Sequence, residues 1–164
     1  MLTEKMRSAL ETQIHSEFHS SYLYLAMSCW CEEANLPGFA KWLKVQHQEE
    51  WEHALKLMTY MHDRGAKVSL ATIEHARVSF KSPLDVFEAV LAHEKKVTAG
   101  IYQLYEVALG EKDYASQVQI QWFITEQVEE EKTATHIVDQ LRTIPEKGGA
   151  MIFMDKQLGK RAAT

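Results

Sequence analysis

The chain has 164 residues, of which 46% are hydrophobic and 25% charged, as expected for one soluble globular domain with a large core. Its net charge of -5 argues against a nucleic-acid surface, which is usually strongly basic. We find no signal peptide and no apolar run of 18 residues, so the sequence predicts a cytoplasmic protein with no membrane association.

Two long helices are predicted in the first half of the chain. The first covers residues 2–33, where apolar residues recur at helical spacing until Pro37 and Gly38 interrupt the pattern. The second covers about 38–64 and stops at Gly65, a residue that often follows a helix end. Each helix would be roughly 40 to 46 Å long, so a connection of a few residues requires the two to lie antiparallel.

The second half of the chain repeats this arrangement after a long connection. Residues 66–82 show no sustained period, and about 3.3 Å per residue lets them cross the full length of a bundle. Helices are then predicted for 83–110 and 114–143, with a short one near 149–160. We therefore predict an all-α, single-domain protein: a four-helix bundle over about 2–144, one long crossover and a short C-terminal fifth helix.

Each long helix carries a carboxylate on its apolar side, and the second adds an imidazole. These residues are Glu17, Glu50, His53, Glu94 and Glu130. The Glu-x-x-His spacing alone is weak evidence, because 18 Glu and 8 His residues give about one match by chance. A single core acid could be protonated or paired with arginine, but four converging acids with no Lys or Arg in the same arcs favour a bound cation.

The ligand types indicate which cation this is. Carboxylates with one imidazole and no thiolate suit Fe or Mn, whereas structural zinc prefers Cys and His. The two cysteines, Cys29 and Cys31, face away from each other on a helix and neither pair nor chelate. Glu50 is the natural bridge between two ions. The residues thus predict a di-iron site that carries out redox chemistry with oxygen or peroxide.

Further polar residues flank this set. Glu49, Glu126 and Glu129 lie beside the core arcs, and either additional metal binding or an ordinary solvated face explains them. Tyr24 lies within two turns of the acids, where it could donate electrons or hydrogen bonds or simply pack in the core.

With these residues in place, the sequence resembles the prokaryotic non-haem ferritins over nearly its whole length. The motifs that carry the resemblance are Glu17, Glu50-x-x-His53, Glu94, Glu126-Gln127-x-x-Glu130 and the tail at 149–155. The resemblance implies a ferritin-like bundle with a ferroxidase centre in each subunit. It also implies a hollow shell of twenty-four copies that oxidises Fe(II) with oxygen or peroxide and stores a ferric oxide mineral.

The resemblance also implies roles for individual residues. A first iron would be held by Glu17, Glu50 and His53. A second iron would be held by Glu50, Glu94 and Glu130, with Gln127 nearby as a hydrogen-bonding residue. A third iron site of bacterial members matches Glu49, Glu126, Glu129 and Glu130. Tyr24 matches a tyrosine beside the centre.

Departures from neighbouring families refine this expectation. Bacterioferritins and rubrerythrins carry a second Glu-x-x-His where this chain has Gln127 and Glu130, so the two metal sites should be unequal. Trp51 stands where bacterioferritins have the methionine that ligates haem, so no haem is expected.

Three functions are compatible with the sequence. The first is an iron-storage ferroxidase in a large shell. The second is a di-iron oxygen or peroxide reductase in a small oligomer that stores no iron. The third is a helical interaction module whose core acids are paired by a partner.

Overall fold

The structure is a computed structural model that describes residues 1–74 and 79–162. Within these ranges it contains five α-helices and no β-strand. The helices are α1 (Glu4–Glu33), α2 (Pro37–Asp63), α3 (Pro83–Gly110), α4 (Tyr114–Thr143) and α5 (Gly149–Leu158). The predicted all-α fold is confirmed, with every helix end within two residues of its expected position. Residues 66–74 and 79–82 are not helical, and the rest of the predicted crossover lies outside the described residues.

Local capping explains where the helices begin. The Thr3 side chain accepts a hydrogen bond from the backbone N–H of Met6 at 3.1 Å, so α1 starts at Glu4 and not at the predicted residue 2. Ser82 caps α3 in the same way, with Pro83 in the first turn. Asp113 caps α4 by accepting from a backbone N–H.

Hydrogen bonds between helices fix the directions of the chain. Along α1 and α2, the Ser28 hydroxyl donates to the Ala40 carbonyl, and the Ser21 hydroxyl donates to the His47 carbonyl. Positions that rise along α1 therefore fall along α2, which makes the pair antiparallel.

Contacts between α1 and α3 show the relative directions of these two helices. Ser20 contacts His93 at 2.7 Å, whereas Gln13, earlier in α1, lies beside Gly100, later in α3. Because α1 is antiparallel to both α2 and α3, the latter two helices are parallel. The connection between them must run the length of the bundle, as the sequence predicted.

Apolar side chains form two clusters, one on each side of a polar middle layer. The first includes Tyr24, Met27, Phe39, Leu43, Phe87, Val90 and Val138. The second includes Met6, Leu10, Ile14, Leu57, Met61, Ile101 and Ile120. Full burial of each large side chain stabilises the fold by about 1.5 to 3 kcal/mol. Burial of these two clusters therefore offsets the free-energy cost of burying the polar residues between them. No helix in the described parts of the chain is both long and apolar enough to cross a membrane.

The short helix α5 docks on the beginning of α2. The Asp155 carboxylate accepts hydrogen bonds from the backbone N–H groups of Gly38 and Phe39, at 2.8 and 3.0 Å. It thereby caps α2, whose own N-cap residue makes no side-chain bond. Met151 and Met154 are buried in the first apolar cluster and complete the contact.

Candidate metal centre

Three potential ligands meet midway along α1 and α2. Glu17, Glu50 and His53 are 1%, 2% and 7% exposed, and each offers an atom within 4.8 Å of the others. Within residues 1–74 and 79–162 this is the one group of His, Cys, Asp and Glu residues with metal-ligand spacing. These separations allow a single cation to contact all three side chains.

The Glu17 carboxylate supplies independent support for a cation. Its Oε1 accepts from the Gln13 side chain at 2.8 Å, but its Oε2 is the one buried side-chain N or O atom in the described residues that lacks a hydrogen-bond partner. An unpaired buried carboxylate oxygen is costly. A bound cation would pair with it, and in the metal-free protein a proton shared with Glu50 would do the same, which agrees with the raised pKa of Glu17. The donor set of two carboxylates and one imidazole fits iron.

Burial dominates the electrostatics of the four acids. Loss of solvent raises the pKa of Glu17, Glu50 and Glu94, and repulsion from neighbouring carboxylates adds to the shift for Glu17 and Glu50. Burial and then the charge of Glu94 raise the pKa of Glu130 to about 7. A cation in this layer would favour the ionised forms and reverse these shifts.

Glu94 is as buried as Glu17 and lies among hydrogen-bond donors from α1 and α4. The Tyr24 hydroxyl donates to its Oε1 in a short contact, and the Gln127 amide donates to its Oε2 at 3.1 Å. Burial, followed by the charge of Glu94, raises the pKa of Tyr24, so the phenol keeps its proton and remains a donor. The structure thus brings Tyr24, Glu94 and Gln127 together, outside the tight cluster of the other three ligands.

Gln46 connects the two sides of the layer. Its fully buried amide nitrogen donates to Glu130 at 2.8 Å and to Glu50 at 3.2 Å. Neither Gln46 nor Gln13 was among the site residues predicted from the sequence. Each stands four residues before a site acid on the same helix, and that spacing could have identified them, because i and i+4 side chains are neighbours.

The acids of the expected third site are more dispersed. Glu49 and Glu126 line an open pocket of about 490 Å³ together with His53. Glu129 is exposed and forms an ion pair with Lys132 at 3.5 Å. The structure therefore places Glu49 and Glu126 at the entrance to the centre and Glu129 further out on α4.

A positive charge reaches this edge of the centre from the tail. Arg161 forms an ion pair with Glu49 and donates to the Gln46 side-chain oxygen at 2.7 Å. Arg161 was not predicted from the helix arcs, because it lies outside the four long helices and 112 positions from Glu49.

The raised pKa values predict how the metal-free protein responds to pH. The folded state holds protons that the unfolded state loses near the ordinary glutamate pKa of 4.5, so stability should fall as the pH rises from about 4.5 through the folded-state values. Glu130 alone, with a pKa of about 7, accounts for a loss of about 3 kcal/mol in the free energy of unfolding over this pH range. For protein stripped of metal with a chelator, we expect a lower melting temperature at pH 7.5 than at pH 5. We expect a smaller difference between the two temperatures once the chelator is removed and Zn(II) is added. A melting temperature that rises over this interval would contradict the electrostatic assignment.

Known proteins are similar to this chain over nearly its whole length. A family model described as a ferritin-like domain matches residues 7–144. The chain is 40% identical over 161 residues to the bacterial non-heme ferritin of Bacteroides fragilis strain 638R, covering 98% of this chain and 100% of that protein. It is 39% identical over 159 residues to a probable bacterial non-heme ferritin-like protein of Haemophilus influenzae, covering 97% and 96%.

Solved structures agree with the sequence relatives. The chain is similar to an open pore ferritin from the archaeon Archaeoglobus fulgidus, with a TM-score of 0.97, 43% identity and coverage of 99% of this chain and 100% of that one. An engineered closed form of the Archaeoglobus fulgidus ferritin gives a TM-score of 0.98 at 43% identity, with both chains covered completely. The likeness therefore extends over nearly the whole chain and includes α5.

Proposed function

The chain belongs to the ferritin family, and we propose that it is an iron-storage protein and a ferroxidase that stores the Fe(III) it produces. In this proposal it oxidises Fe(II) at the buried centre and deposits ferric oxide mineral inside a cytoplasmic shell of twenty-four copies, without haem. The observation that carries the proposal is the buried cluster of Glu17, Glu50 and His53, in which one oxygen of Glu17 lacks a hydrogen-bond partner.

Two Fe(II) ions would be bound as substrates by different sets of ligands. Glu17, Glu50 and His53 would hold the first ion. Glu50, Glu94 and Glu130 would hold the second, and the charges of Glu94 and Glu130 both act on Glu50. Because the first ion has an imidazole ligand and the second has carboxylates alone, the two positions should differ in affinity.

The remaining polar residues would hold these ligands in place. Gln13 and Gln46 donate to the carboxylates and fix their orientation before iron arrives. Gln127 and Tyr24 do the same for Glu94. A third ion would bind at the edge of the centre, to Glu49, Glu126, Glu129 and Glu130.

The electron balance needs both substrate ions. Each Fe(II) gives up one electron, and the oxidant accepts two: O₂ takes up two protons to form H₂O₂, or H₂O₂ takes up two protons to form two waters. Binding of Fe(II) displaces protons from the buried carboxyl groups, whose pKa values are raised in the metal-free state. The centre can therefore release protons when the metal ions bind.

A stopped-flow experiment on protein of known assembly size tests the proposal. Metal-free protein is loaded anaerobically with Fe(II) and then mixed with oxygen or peroxide. We expect fast oxidation that saturates at two irons per subunit, followed by slow growth of ferric absorption to hundreds of irons per large shell. Fast oxidation that stops at two irons in a small oligomer would establish a di-iron reductase in its place. A chain that binds no Fe(II) would favour the interaction module.

A further inference from the structure

Arg161 lies against the outer edge of the metal centre and contacts three side chains of α2. Its Nη1 donates to the Gln46 side-chain oxygen at 2.7 Å, and its Nη2 forms a short ion pair with Glu49. The guanidinium also lies 4.3 Å from the ring centre of Trp42. The side chains of Arg161 and Glu49 are only 22% and 14% exposed, so water screens this pair less than a surface ion pair.

The tail, which consists of α5 and residues 159–161, is docked against α2 and holds Arg161 in this position. Asp155 caps the first turn of α2, and the Lys41 side chain donates to the carbonyl of Gly159 at 2.8 Å. Gly38 and Gly159 allow the two segments to approach closely, since a Cβ on Gly159 would lie 3.1 Å from the Gly38 Cα. The arginine is thus delivered by a docked helix and its turn, two residues beyond Gly159.

Gln46 links the arginine to the buried carboxylates. Because its side-chain oxygen accepts from Arg161, its nitrogen points toward Glu50 and Glu130, to which it donates. Without Arg161, the buried amide would still donate to Glu50 and Glu130, so these two acids would keep their orientation.

We propose that Arg161 is a positioning residue that occupies Glu49 in place of a cation, whereas the Glu50 and Glu130 ligands keep their own hydrogen bonds from Gln46. This inference rests on the proposed function, because it concerns the third ion of the same centre. A guanidinium and a metal ion compete for the Oε2 atom of Glu49, so the third ion gains this ligand atom only when Arg161 releases it. Arg161 therefore weakens the third position relative to the first two.

Cation binding can test this without any oxidation. Redox-inert Zn(II) is titrated into the assembled metal-free protein in a calorimeter, and anaerobic Fe(II) is titrated in parallel. Arg161→Gln removes the charge, and we expect the third ion to bind about tenfold more tightly, while the first two change by about twofold or less. The matched control is Lys160→Gln, which removes the same charge from the preceding residue. Within residues 1–74 and 79–162, the hydrogen bond of the Lys160 amine goes to the exposed residue Gln157.

The conservative variant separates a local role from a general effect on folding. Arg161→Lys keeps a charge beside Glu49 and should return third-ion binding toward that of the unaltered chain. Identical isotherms for Arg161→Gln and the unaltered chain would overturn the inference, as would weakened binding of the first two ions in Arg161→Gln. If the unaltered chain binds no Zn(II) and no Fe(II), the proposed function itself fails. If it binds two ions and Arg161→Gln changes nothing, only this inference fails.

Discussion

Replacing Glu50 with alanine should lower the initial rate of Fe(II) oxidation by about 100-fold or more, since altering even the hydrogen-bond partners of metal ligands costs 10- to 100-fold. In the proposed assignment Glu50 is the ligand that the first two iron positions share: it lies beside Glu17 and His53, and the charges of Glu94 and Glu130 act on it. Its loss should therefore remove both positions at once. Stopped-flow absorbance at two Fe(II) per subunit measures the rate.

The fold should survive the Glu50→Ala change. The side chain is 2% exposed, and burial raises its pKa, so alanine removes a group whose ionised form opposes folding in the metal-free protein. This gain offsets the cavity that the smaller side chain leaves, and we expect a metal-free melting temperature within a few degrees of the unaltered one.

A matched control distinguishes a ligand effect from a general charge effect. Glu106→Ala removes the same side chain from an exposed position of α3 and should leave the oxidation rate unchanged. An unchanged rate in Glu50→Ala would rule out the assignment of Glu50 as the shared ligand. A slow rate in both variants would show that the loss of negative charge, and not of a ligand, causes the effect.

The features that the sequence predicted correctly are those that depend on local periodicity. Positions 17, 50, 94 and 130 lie on the apolar arcs of long helices, and a helix of known period places them on its buried side whatever its neighbours are. The crossover followed from chain length, because no short connection can join two parallel helices of this size.

The features that the sequence did not predict depend on contacts between distant segments. Arg161 reaches Gln46 across 115 positions, and Asp155 reaches Gly38 across 117. No periodicity within a helix encodes such pairs, because they arise only when α5 docks. Gly38 illustrates the difference: the sequence predicted its place at the start of the second helix, but nothing in the helix pattern indicated that Asp155 would bind its backbone N–H.

Replacing Gly38 with alanine should undock α5. A Cβ at this position would lie 1.7 Å from the carbonyl oxygen and 2.5 Å from the carbonyl carbon of Asp155, and backbone atoms cannot move aside as a side chain can. Undocking removes the cap that Asp155 provides to α2, worth about 1 kcal/mol, and exposes Met151 and Met154, worth about 1.5 to 3 kcal/mol each.

Limited proteolysis of the tail and the melting temperature measure the effect of Gly38→Ala. The matched control is Gly110→Ala near the end of α3, where no described atom lies within 4 Å of a new Cβ, so alanine should leave stability unchanged or raise it by up to about 1 kcal/mol. Equal protease resistance of the tail in both variants would contradict the docking argument.

The Gly38→Ala variant also links the fold to the metal centre. Arg161 reaches Glu49 only from a docked α5, because the residues that hold the tail in place lie within the same short segment as Asp155 and Gly159. An undocked tail should therefore tighten third-ion binding as Arg161→Gln does, without any change to a charged residue. Tight third-ion binding in Gly38→Ala, with the first two ions unaffected, would show that docking of the tail, through Arg161, controls access to Glu49.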